Sequence, residues 1–154
     1  MEQDSINRIL FPQRGTLEEF ENALQRKLRD PAFQSRSRTK GVVLSFPVIV
    51  HVIHNGEAVG TGTNISQAQV QAQLAVLNED FRRMAGTPGF NNSPIGADVE
   101  IEFCLSPVDQ TGNPMAEPGI HRFRGGQATW TRSQIDGALK PSTIWNPNQF
   151  FNIW

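Results

Sequence analysis

Between Phe46 and Arg83 the chain passes from an apolar run, FPVIVHVIH, through a short turn into NISQAQVQAQLAVLNEDFRR. Val48, Val50 and Val52 fall on one side of an extended segment, and Ile49 and Ile53 on the other. Phe46–His54 therefore predicts a strand covered on both faces, as in the centre of an α/β layer. Pro47, which has no N–H to give a ladder, marks its entry. Gly56 to Gly62 reads as a turn. Ser66 and Gln69 then form an S-x-x-Q capping box, with Ile65 and Val70 at the two positions of a hydrophobic staple. Val70, Leu74, Leu77, Phe81 and Met84 recur at intervals of 4, 3, 4 and 3, a single helical stripe. The pattern predicts a helix over Ser66–Met84, stopped by Gly86 and Pro88. It should pack on the sheet through Val70, Leu74, Leu77 and Phe81, with Gln71, Gln73, Asn78 and Arg82 on the opposite face. If Leu77 is buried, its truncation to Ala should cost about 2–5 kcal/mol.

The remaining elements are shorter. Thr16 and Glu19 form a T-x-x-E capping box, and Leu17, Phe20, Leu24 and Leu28 follow at helical spacing until Asp30-Pro31 ends the helix. Gln34 to Lys40 is basic and reads as a linker, which divides the chain into a helical region 1–40 and a larger domain 41–154. Gly86 to Gly96 is loop. Asp98 to Leu105 alternates, with Val99, Ile101, Phe103 and Leu105 on one face and Asp98, Glu100, Glu102 and Cys104 on the other, a strand with one wetter side. Ser106 to Pro118 has turn chemistry. Ile120–Phe123 predicts a short strand that could form a hairpin with Asp98–Leu105. A short helix is expected near Ser133–Leu139, and a last strand at Phe150–Trp154. The class is α/β (α+β), a twisted mixed sheet with a packed amphipathic helix.

Composition adds limits rather than chemistry. A chain of 154 residues with 38% apolar and 19% charged residues can bury one domain core. A net charge of -1 offers no electrostatic case for nucleic acid or a membrane surface. The longest apolar stretch, Val42 to Ile53, is broken by Ser45, Pro47 and His51 and does not read as a membrane span. Met1-Glu2-Gln3-Asp4 opens no signal-peptide pattern.

Candidate catalytic groups have ordinary structural readings. His51 and His54 suggest an HxxH metal pair, but an odd separation on a strand puts them on opposite faces. His121 lies in another element, and no spacing argument brings the three histidines together. Asp98, Glu100 and Glu102 could do acid–base work but read as a solvated face. Cys104, the one cysteine, reads as a small buried hydrophobe. Asp109-Gln110-Thr111-Gly112-Asn113 hints at a calcium loop, yet its glycine is misplaced and no Glu closes it, so a turn is expected. Asn64-Ile65-Ser66 matches a glycosylation acceptor but coincides with a helix start.

In order along the chain, the Gly15-Thr16 helix with Asp30-Pro31-Ala32-Phe33, FPVIVHVIHNG, NISQAQVQAQLAVLNEDFRR, ADVEIEFCLSPVDQTGNP, GIHR and FFNIW resemble the N-terminal part of pappalysin-type metzincin metalloproteases. The resemblance implies a pro-segment followed by a twisted sheet above a substrate cleft and a catalytic zinc. It implies ligands in an H-E-x-x-H-x-x-G-x-x-H motif beyond the last strand seen here, whose Glu polarises a metal-bound water. No H-E-x-x-H occurs in this chain, so no catalytic or metal residue is carried over, and the residues of the cleft wall stay unassigned. Where relatives carry a cysteine able to cap the zinc, this chain has Arg14, which cannot be a ligand. Zinc, a protein or peptide substrate and secretion are thus expected of a parent enzyme, and no metal is expected on this chain. The expectation is an N-terminal fragment, inactive alone, that tends to self-associate through its apolar C-terminal strand. The rival is a stand-alone, non-catalytic binding module.

Overall fold

The computed structural model describes residues 16–31 and 42–154. The expectations for Arg14 and for Gln34–Lys40 fall outside these residues. The chain divides into two compact units, Met1–Val42 and Val43–Trp154.

The first unit contains helix α1, Leu17–Arg29. Thr16 caps it: its Oγ1 accepts from the Glu19 N–H at 3.0 Å, and the Glu19 carboxylate accepts from the Thr16 N–H at 2.6 Å. Glu18 and Glu19 lie in the first turn and Arg26, Lys27 and Arg29 in the last, each complementing the helix dipole. No residue of α1 is buried, and its apolar stripe, including Leu17 and Phe20, stays exposed.

The second unit is built on β1, Leu44–His54. Three strands pair with β1, all in parallel: β2, Ile101–Leu105, along Leu44–Val48; β3, Ile120–Arg124, along Val50–His54; and β4, Phe151–Ile153, along Val48–Val50. A strand has two edges, so two of the three must share one. The Leu44 N–H and Val48 C=O bond the β2 segment, and the Val50 N–H and His54 C=O bond the β3 segment. All four residues are even-numbered and point to one edge, so β2 and β3 lie end to end there while β4 takes the other. Gly119 makes this abutment possible. It sits at φ +68°, and a Cβ there would stand 2.6 Å from the Leu105 Cβ. The two strands therefore do not form the expected hairpin; each needs the β1 backbone as its partner.

Helix α2, Gln67–Phe81, covers one face. Its capping box, Ser66 with Gln69, forms as the sequence predicts. Val70 is buried with Val52 and Ile120, and Phe81 meets Phe103 edge to face at 5.0 Å between ring centroids. The helix ends at Phe81 rather than Met84, which is exposed, because the chain turns away through Arg83 at φ 45°. Leu74 and Leu77 are half-buried, which puts Leu77→Ala at the low end of its expected range.

Asn78 and Arg82 are not on a far polar face. Asn78 donates to the Phe103 C=O at 2.9 Å and accepts from the Phe103 N–H at 2.7 Å, while Arg82 reaches Asp98 at 3.0 Å and Glu102 at 2.6 Å. Both side chains flank the apolar stripe and clasp β2. The strand begins at Ile101, not Asp98, because Glu100 takes φ 57° and breaks the alternation, leaving Val99 exposed.

The opposite face is covered by a helical run, Arg132–Gln134, Ile135–Leu139 as a wide π turn and Lys140–Thr143, followed by Trp145. Leu139, Thr143 and Trp145 are buried there. The middle of β1 is thus covered on both sides, as an α/β strand apolar on both faces requires.

The Asn78 clasp is testable. Asn78→Ala leaves a half-buried peptide N–H and C=O without partners and should lower unfolding stability by about 1–3 kcal/mol in denaturant titration. A change within 0.5 kcal/mol, about what an ordinary surface position gives, would show that water replaces the clasp.

Candidate functional site

The parallel register sets His51 beside His121. Both side chains project to the face away from α2, where the rings meet edge to face with Nδ1 atoms 2.9 Å apart. On the other edge of β1, Asn152 of β4 holds the far side of His51, its Oδ1 lying 2.8 Å from Nε2. Trp154 stacks on His51 at 4.8 Å and 19°, and Trp145 closes the pocket edge-on at 6.4 Å. Trp154 is itself tied down, donating from Nε1 to the Thr143 hydroxyl at 2.9 Å.

The proton positions follow from the bonds. Asn152 donates from Nδ2 to the carbonyls of Trp145 and Phe150, at 3.0 and 3.1 Å, which fixes its amide orientation. Its Oδ1 accepts from the Trp145 N–H at 2.8 Å and so must also accept from His51. His51 therefore carries its proton on Nε2 and offers Nδ1 as an acceptor. His121 then donates from Nδ1 and keeps its Nε2 lone pair, which no described residue binds. Burial lowers the pKa of both imidazoles. For His51 the Asn152 hydrogen bond opposes that shift, and the neighbouring His121 adds to it.

His54 lies on the other face from His51, as its spacing requires, and its Nδ1 accepts the Gly56 N–H at 3.1 Å. The acidic trio is not a free face: Asp98 and Glu102 hold Arg82, and Asp98 also accepts the Glu100 N–H at 2.8 Å. That N–H, then Arg82, lowers the Asp98 pKa. Asp109 closes a turn, accepting from Thr111 and Asn113. Cys104 is exposed, not buried; it sits on the face of β2 turned away from α2, and its Sγ accepts the Ser45 hydroxyl at 3.3 Å. Asn64 is buried, bonded to the Glu57 carbonyl and to Arg122, so its amide is closed to glycosylation.

The histidine pair was missed because the link is long-range. Its signal was faint: VIVHVI and GIHRF each set one His inside an apolar run, which matters only once the runs are known to pair in parallel and in register. Beside the pair, a cleft of about 640 Å³ opens between α2 and the sheet, lined by His51, Ile53, Val70, Leu74, Ile153 and Trp154. β4 pairs with β1 only at Val48–Val50, so beyond Val50 no described strand occupies that edge.

No family model matches the chain, and no curated protein matches it. Mature mirolysin of Tannerella forsythia, in complex with a cleaved peptide, is similar at 34% identity and a TM-score of 0.58, over 73% of this chain and 42% of that one. Mirolysin in complex with compound 9 is similar at 33% identity and 0.59, over 74% and 42%. A Tannerella forsythia promirolysin mutant is similar at 31% identity and 0.59, over 87% and 45%. Mirolysin is a metzincin-type metalloprotease, and the chain has a metzincin-like fold that spans less than half the length of these structures.

Asn152→Leu keeps the volume and removes every polar contact of the hub. It strands the Trp145 N–H and C=O and the His51 Nε2–H, and should destabilise the protein by about 2–4 kcal/mol in chemical denaturation. A loss under about 1 kcal/mol would mean that Asn152 is not the hub of this face.

Proposed function

We propose that this chain supplies the N-terminal part of a zinc-dependent metalloendopeptidase of the pappalysin type. Residues 1–40 would be the pro-segment and its linker, and 41–154 the sheet above the substrate cleft. The observation that carries the reading is the one-third identity to mirolysin at TM-scores of 0.58–0.59. The wider reach of the pro form, 87% of this chain against 73% for the mature enzyme, supports a pro-segment. A protein or peptide substrate, secretion of the parent enzyme and self-association through β4 belong to the same proposal.

Zinc needs three protein ligands arranged around one point. Among the described residues, no group of three or more His, Cys, Asp or Glu could hold a metal. His51 and His121 are turned to each other and to Asn152, so they do not fit the role. The ligands of this reading belong to an H-E-x-x-H segment outside the chain, and no chemical step is assigned to residues here.

The open β1 edge beside the apolar cleft favours a second reading, a binding module that takes an extended peptide as an added strand.

A peptide-library assay with added zinc tests the first reading. The 154-residue chain should show no chelator-sensitive hydrolysis, and fusing the catalytic half of mirolysin after Trp154 should restore it. Zinc-dependent cleavage by the chain itself, lost in His51→Ala or His121→Ala, would overturn that reading. Peptide binding by the chain with an inactive fusion would favour the second.

A further inference from the structure

We propose that His51 and His121 form a proton-operated latch on the junction of β1, β3 and β4, closed with no or one extra proton and open with two. The geometry carries it. In the neutral pair a single proton lies between the two Nδ1 atoms, 2.9 Å apart. A first added proton enters at the Nε2 of His121. It leaves the Nδ1–H···Nδ1 bond intact and makes it charge-assisted. A second proton has one remaining place, the Nδ1 of His51, where it would point N–H against N–H across the same gap. The imidazoles must then part. Asn152 cannot absorb the change, because its Oδ1 already takes the Trp145 N–H and the His51 Nε2–H. Parting the rings therefore strains the β4 contact and the Trp154 stack.

The surroundings supply no counter-charge among the described residues. β4 presents the neutral Asn152, and the preceding segment presents Trp145. α2 lies on the other face of the sheet from His51, and the polar residues it gives to the cleft, Gln69 and Gln73, are uncharged. On β3, Arg122 is bound to Glu117 and Arg124 pairs in register with His54. From the helical run, Lys140 lies 5.8 Å from the Trp154 ring centre and is bonded to Asp136, which also pairs with Arg132. Lys140 is a like charge on the ring that covers His51, so a cation–π gain from that ring is already shared.

The sign of the effect is fixed by linkage. Both imidazoles titrate below their ordinary 6.5 in the folded chain. Below that pH the unfolded chain binds more protons, so stability is whole above about 6.5 and falls as pH drops toward the folded values. The folded-to-unfolded ratio should fall between about pH 7.5 and 5.5, by up to about tenfold for each imidazole.

Two measurements on the full chain test this. Denaturant titrations across that range should show the fall in the wild type and in His54→Gln, and a much shallower one in His121→Gln, whose amide can still donate to His51. Imidazole ¹⁵N NMR of the wild type should show two separated steps, His121 first, with tryptophan emission changing on the second. A wild-type ratio constant within twofold, or a His121→Gln slope equal to wild type, overturns the latch. So does independent titration of both rings near 6.5 in the unmutated chain, a readout that stands if the variant does not fold.

Discussion

The backbone of β1 is the constraint on which the second unit depends. Its N–H and C=O groups are buried with Val48, Ile49 and Val52 and must find partners, because an unpaired peptide group away from water costs as much as a lost hydrogen bond. β2 and β3 meet that need in series on one edge, and β4 meets it across the middle of the other. The order in which segments return to β1 sets everything else. It places Phe103 under α2, His121 beside His51, and Asn152 where it can hold both His51 and Trp145.

Three asparagines then act as pieces of backbone. A side-chain amide carries the same donor and acceptor as a peptide group, so it can stand in for a strand that is not there. Asn78 pairs with Phe103 from a helix, Asn152 pairs with both polar groups of Trp145, and Asn64 joins the Glu57 carbonyl to Arg122. Each is a position where regular secondary structure runs out and a buried polar group would otherwise be stranded.

The sequence was legible where its signals are local. The Thr16 and Ser66 capping boxes, the two-sided apolar run of β1 and the turn at Asp109 need only neighbours a few residues away, and all form. What failed to read was set by distance. The hairpin expected of Ile120–Phe123 with Asp98–Leu105 gives way to parallel pairing of both with β1, 70 and 57 residues away by register. Asn78 and Arg82 look like solvent-facing polar residues until β2 arrives beside them. The alternation of Asp98–Leu105 gives no warning that Glu100 adopts a left-handed turn. Cys104 fits a buried strand position, but its face of β2 is uncovered.

The Asn78 clasp also governs which way this sheet can grow. A strand edge recruits new strands through its free N–H and C=O pairs, the route to both useful docking and uncontrolled stacking. At Phe103 those groups are already taken by a side chain anchored in a helix, which cannot slide or peel away as a loop would. The middle of the β2 border therefore offers no free N–H and C=O pair to a newcomer. Any extended segment that joins the molecule there, whether another part of a longer protein, a peptide or a second copy, has to displace Asn78 before it can pair with Phe103.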